Sequence, residues 1–113
     1  MKRLLVFLVA LAAVACVEGL DPLPLDVTIE PSKVTTVVGD SIEFVVKAQG
    51  GSLVGITIDY GDGITDIFET AGARTAQVRF RHPYTATGTY DVQGGALDAS
   101  AGQKVATVQV IIN

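Results

Sequence analysis

The stretch Ile58-Asp59-Tyr60-Gly61-Asp62-Gly63 decides the fold of this chain. An apolar-polar alternation ends there in Gly-Asp-Gly, the composition of a tight turn between two strands. Gly61 and Gly63 allow positive φ around Asp62, whose carboxylate is able to accept backbone N–H groups inside the turn. Asp59 is placed to do the same for a neighbouring loop, or to meet His82 or a hydroxyl. About twenty residues later come His82-Pro83-Tyr84 and then Gly88-Thr89-Tyr90-Asp91-Val92, a second aromatic-marked run one strand pair away.

Outward from that turn the chain reads as strands. On the N-terminal side are Asp26–Glu30, the β-branched run Val34–Val38, and Ser41–Ala48, with Ile42, Phe44 and Val46 on one face. After a turn at Gly50-Gly51-Ser52 comes Val54–Tyr60, with Val54, Ile56, Ile58 and Tyr60 sharing a face. On the C-terminal side Ile64–Phe68 leads to a turn at Thr70–Ala73. Thr75–Arg81 then sets Ala76, Val78 and Phe80 against Arg79 and Arg81. A run through Tyr90 and Val92 follows, and Lys104–Ile112 closes the chain. Period-two alternation at spacings near ten residues, without helical periodicity, predicts an all-β fold: an immunoglobulin-like antiparallel β-sandwich of seven to eight strands.

Residues 1–15 stand apart. Lys2 and Arg3 precede the apolar run Leu4–Leu11, and small residues close the segment at Ala12–Ala15: the plan of a secretory signal, too short to span a bilayer. The chain carries 8 Lys+Arg against 12 Asp+Glu. Without Lys2 and Arg3, six cations face twelve anions, a net of −6. That balance opposes nucleic-acid binding, which calls for a basic stripe. The one cysteine, Cys16, directly follows Ala13-Val14-Ala15, so no intramolecular disulfide can form. Two readings follow: ordinary cleavage that leaves a free thiol, or lipidation of Cys16 at a lipobox-like site. An odd cysteine in an exported protein favours the second. Val17 rather than aspartate after the cysteine resembles the sorting pattern of outer-membrane or outer-leaflet lipoproteins. Residues 16–25 then read as a lipidated tether, extended by Pro22 and Pro24 and carrying Leu20, Leu23 and Leu25.

The two aromatic-marked runs, in this order and spacing, resemble the signature of the polycystic kidney disease (PKD) domain, over residues 26–113. The resemblance rests on Tyr60, Gly61, Asp62, Gly63, His82, Tyr84, Gly88, Tyr90 and Val92. Ile58 stands where tryptophan is common, and Gly94-Gly95-Ala96-Leu97 interrupts a strand the family keeps aliphatic. It implies a cell-surface β-sandwich in which these residues are structural, with Tyr84 or Tyr90 acting like the tyrosine corner of related sandwiches.

Chemistry is sparse. His82 is the only histidine, Cys16 lies at the membrane end, and no serine sits in a recognisable elbow, so nucleophilic catalysis has no paired base. Asp59, Asp62 and Asp66 do not follow the spacing of a calcium loop. No cofactor or metal is expected. The expectation is a non-catalytic, membrane-anchored interaction module with a protein partner or envelope complex. The alternatives are a structural subunit of a surface assembly and a carbohydrate-binding accessory module, for which aromatics are few. Gly94, Gly95, Leu20, Leu23 and Leu25 are the expected interface, since a strand without side chains admits another backbone closely.

Overall fold

The computed structural model describes residues 23–113; the expected signal segment, Cys16 and Leu20 lie outside the described residues. Six strands follow in order: β1 (Asp26–Pro31), β2 (Thr35–Thr36), β3 (Ser41–Asp59), β4 (Thr65–Pro83), β5 (Gly88–Asp98) and β6 (Gly102–Ile112), with no helix among the described residues. The number is lower than the seven to eight expected, because two expected turns lie inside strands. Gly50-Gly51-Ser52 is a bent part of β3, and Thr70–Ala73 a kinked part of β4.

Those bends make two layers out of one hydrogen-bonded network. The first half of β3 pairs with β1, from Pro31 opposite Phe44 to Asp26 opposite Gln49. Its second half, Leu53–Asp59, presents the same edge to β5. β4 follows the other edge of β3 along both halves, with register shifts between Gln49 and Leu53 and between Leu53 and Gly55. One layer is therefore β1 with half of β3 and half of β4. The other layer holds the remaining halves with β5, β6 and β2. All pairings are antiparallel except β2, which runs parallel to β6 at Thr35–Ile111 and Thr36–Ile112. The run Val34–Val38 supplies only that two-residue strand.

The register shifts also move one apolar side chain. Val54, expected on the core face, is exposed, while Leu53 is fully buried. The inserted residues flip the alternation, so the strand returns Ile56, Ile58 and Tyr60 to the interior. They pack with Ile42, Phe44, Val46, Val92 and Val110, each of them fully buried or within one per cent of it. Burying side chains of this size stabilises by roughly 1.5–3 kcal/mol apiece. Leu25 of the tether packs against this core from its margin.

Asp98 locks the bend of β3 to the β5–β6 turn, a role the sequence reading did not assign. One carboxylate oxygen accepts the Ser52 amide at 2.6 Å, and the other accepts the amides of Ser100 and Ala101 and the Ser100 hydroxyl at 3.0–3.1 Å. Gly50 makes room for it: a Cβ there would lie 2.7 Å from the Asp98 carboxylate. The Ser52 bond, followed by that of Ala101, holds the Asp98 carboxyl down at about 2, against an ordinary value of 3.8. A carboxyl depressed in the folded state stabilises above its unfolded pKa and loses that contribution as pH falls through its folded value. The stability difference between wild type and Asp98→Asn is therefore expected to be constant above pH about 4 and to shrink between pH 4 and 2. Denaturant midpoints measured across that range read it directly. A difference unchanged at pH 2 counts against the network.

Candidate functional site

One end of the sandwich is built around the β3–β4 turn. Asp59 accepts the Gly61 amide at 2.9 Å, and Asp62 accepts the Ile64 amide at 3.1 Å, so each carboxylate holds the residue two positions ahead. The second oxygen of Asp62 lies 2.6 Å from His82 Nε2. Asp62, and not Asp59, is thus the residue that meets the histidine. Gly61 and Gly63 both take the positive φ expected of them, +81° and +91°.

His82 is buried and stacks on Tyr60, ring centroids 3.9 Å apart and planes within 5° of parallel. Tyr84 packs at a right angle to the imidazole with ring centroids 4.9 Å apart, and Tyr90 follows at 4.6 Å from Tyr84. Each tyrosine hydroxyl of this aromatic column has a partner. Tyr60 donates to Asp66 at 2.7 Å, Tyr84 to the Tyr60 carbonyl at 2.8 Å, and Tyr90 to the Ala86 carbonyl at 2.8 Å. Burial, reinforced by the bond to Asp66, pushes the Tyr60 hydroxyl far above its ordinary value of 10; burial does the same to Tyr84. Both hydroxyls keep their protons at neutral pH and serve as donors. The carboxylates of Asp59, Asp62 and Asp66 are each engaged with a different protein partner, and no group of three or more metal-ligating side chains forms among the described residues.

A hollow adjoins this cluster through Asp59 and Asp66, on the outer face of the β4–β3–β5–β6 layer. It is an open groove of about 600 Å³, with Thr57, Asp59, Ile67, Gln93, Gln103 and Val105 among its lining residues. Pairing places Ile67, Thr57, Gly95 and Val105 in one row across the four strands. Gly95 puts no side chain at the third position of that row, and the Thr57 hydroxyl occupies the space a Cβ would take. Alternation along four strands is the only signal in the sequence that could have found this row, and it becomes a site only once the register is known.

No protein-family model matches the chain, and no curated protein sequence matches it either. Solved structures do. The PKD domain of an M14-like peptidase from Thermoplasmatales archaeon SCGC AB-540-F20 superposes with a TM-score of 0.69 at 22% identity, covering 81% of this chain and 96% of that one. The PKD domain of the human VPS10 domain-containing receptor SorCS2 does so at 0.58 and 26% identity, over 81% and 74% of the two chains. The domain is PKD-like. A more distant match, the CARDB domain of a Pyrococcus furiosus protein in complex with di-metal ions, has a TM-score of 0.54 at 17% identity, covering 78% of this chain and 93% of that one.

Within the PKD-like domain Tyr60, His82, Tyr84 and Val92 are buried, Tyr90 is half-buried, and Gly88 opens β5. Both tyrosines expected to compete for the corner role bond backbone carbonyls, and the Tyr84 bond is the buried one. Tyr84→Phe should cost about 1–2 kcal/mol, since it leaves the Tyr60 carbonyl buried without its donor. The urea midpoint checks this, with Tyr90→Phe, whose hydroxyl bond is exposed, as the milder control.

The expected approach of another backbone at Gly94 and Gly95 needs correction. β5 is paired on both edges at Gly94 and Gly95, with β3 on one side and β6 on the other, so no free backbone is offered there to another chain. The close approach that Gly94 permits is made by Ile29 and Val46 of this chain's own opposite layer, 3.3 Å from the position of a Cβ. Of the tether leucines, Leu25 packs on the core margin, Leu23 is half-buried, and Leu20 lies outside the described residues.

Proposed function

We propose that this chain is a non-catalytic binding module, lipid-anchored through Cys16 and working outside the cytoplasm on a protein partner. The observation that carries the reading is the use made of its reactive side chains. His82, Asp62, Asp66 and the three tyrosines each bond another member of the group or nearby backbone. What they leave free is surface. The two PKD domains it superposes on belong to a peptidase and to a receptor. A fold carried by proteins of such different kinds suits recognition better than a reaction of its own. The signal-like segment before Cys16 supports export, and the acidic balance opposes nucleic acid.

A structural-subunit role draws on one observation of its own. Among the described residues β4 is paired only with β3, so a strand of 19 residues presents an edge that none of them covers. Ala71 and Gly72, at φ +50° and +85°, kink that edge midway, and Pro83 ends it, devices that discourage strand addition. The module reading is therefore preferred.

Anchoring has a direct test. Intact mass spectrometry of the protein extracted from membranes should exceed the mass of residues 16–113 by a diacylglyceryl group or more. Native mature protein recovered from the soluble fraction with an unmodified Cys16 thiol would remove the anchor.

A further inference from the structure

The groove over Gly95 lies on the wrong side of its sheet to be apolar. The inner face of the layer is core; the outer face of an antiparallel sheet exposed to water is ordinarily polar. Here Ile67 and Val105, the two ends of the row that Gly95 interrupts, are 65% and 52% exposed. Leu97, one row away on β5, is exposed as well. Four strands at about 4.8 Å separation put the ends of that row about 14 Å apart, the length of four extended residues. Between them stand only the small side chain of Thr57 and Gly95, with the Thr57 hydroxyl lying over the glycine, so the row dips at its middle.

The charge on this face is one-sided. Asp59, Glu69 and Asp91 point outward from β3, β4 and β5, and no Lys or Arg occupies an outward position among these strand segments and β6. Lys104, the basic residue of β6, pairs opposite the buried Ala96 and turns to Asp26 on β1. Asp59 and Glu69 flank the apolar row on its two sides.

We propose that this groove is the docking site of an extended polypeptide segment rich in aliphatic and cationic side chains. The aliphatic groups rest between Ile67 and Val105 over Gly95. Asp59, Glu69 and Asp91 receive the cations, and Gln93 and Gln103 offer amides to the partner's backbone. Charge complementarity sets the class of partner, because an acidic rim with no countercharge of its own repels an acidic segment and attracts a basic one.

This inference rests on the binding-module reading and is tested apart from it. The full mature protein, 15N-labelled and held in a zwitterionic detergent, is titrated with three probes: acetylated Lys-Leu-Lys-Leu-Lys amide, its Glu-Leu-Glu-Leu-Glu counterpart, and a neutral hexasaccharide. The lysine peptide should give saturable shifts centred on the amides of Thr57, Gly95 and Val105, weakened by salt. Val105→Lys should lower its affinity by about tenfold with the melting temperature kept, since the residue is half in water. Ile67→Lys on β4 repeats the test should Val105→Lys fail to fold. Equal binding of the glutamate peptide, a groove filled by the saccharide instead, or lysine-peptide shifts centred on another surface would each overturn the proposal. So would no saturable shift with the lysine peptide, an outcome that leaves the anchored-module reading to the intact mass of the membrane-bound protein.

Discussion

Gly61→Val is expected to destabilise the domain by about 3–5 kcal/mol, and Gly63→Val by only about 1–2 kcal/mol. Both glycines hold positive φ, a region that β-branched residues resist, so each substitution carries a strain cost. The difference lies in what surrounds them. A Cβ at Gly61 would fall 2.6 Å from the Asp91 carbonyl oxygen and 3.2 Å from the Asp91 nitrogen and carbonyl carbon. Those atoms are backbone of β5, which is tied to β6, so no rotamer change relieves the overlap. Gly63 has no atom within 4 Å of the same position. Urea denaturation of the two variants separates steric exclusion from φ strain. Equal losses would mean that φ alone governs the turn and that the approach of Asp91 is incidental.

The second large effect is expected at Gly94. Gly94→Val should cost about 2–3 kcal/mol by overpacking the space between the layers. Already at its Cβ it would meet Ile29 and Val46 at 3.3 Å, and two further methyl groups have nowhere to go while β5 remains paired on both edges. Thermal unfolding followed by circular dichroism reads the loss. Ile29→Ala in the same chain should return part of it, because the two changes act on one volume and their effects are not additive. A Gly94→Val protein that melts like wild type and loses only a partner would restore Gly94 as a contact with another chain.

Much of the fold was legible because two local signals coincide in it. The alternation of Ile42, Phe44 and Val46, and of Ile56, Ile58 and Tyr60, reports the buried face of a strand directly, since side chains alternate across a pleat. The Gly-Asp-Gly turn reports a reversal, since glycine accepts the φ values a tight turn needs. Gly50-Gly51-Ser52 and Thr70–Ala73 carry the same composition and yet lie inside strands. A glycine tells that the backbone is unusual at that point; whether the chain reverses or bends depends on what pairs beside it. At Gly50 the deciding partner is Asp98, almost fifty residues away in sequence, whose carboxylate fills the space of the missing Cβ.

The candidate site divides in the same way. Residues in the motif cluster announce themselves, because Tyr60, Asp62, His82 and Tyr84 are of types that bury only with their polar atoms satisfied. Which carboxylate takes the histidine was not readable: Asp59 and Asp62 are three positions apart, and only the curvature of the turn aims Asp62 at Nε2. By itself, then, the sequence determined strand character, the sharp turn at Gly61-Asp62-Gly63 and the export-like start of the chain, all of them properties of neighbouring residues. The tertiary structure alone decided that β3 serves two layers, that Gly94 faces Ile29, and that Ile67 and Val105 stand at the two ends of a groove with Gly95 on its floor. Those depend on register between strands far apart in the chain, and a shift of a single residue would turn every side chain to the opposite face.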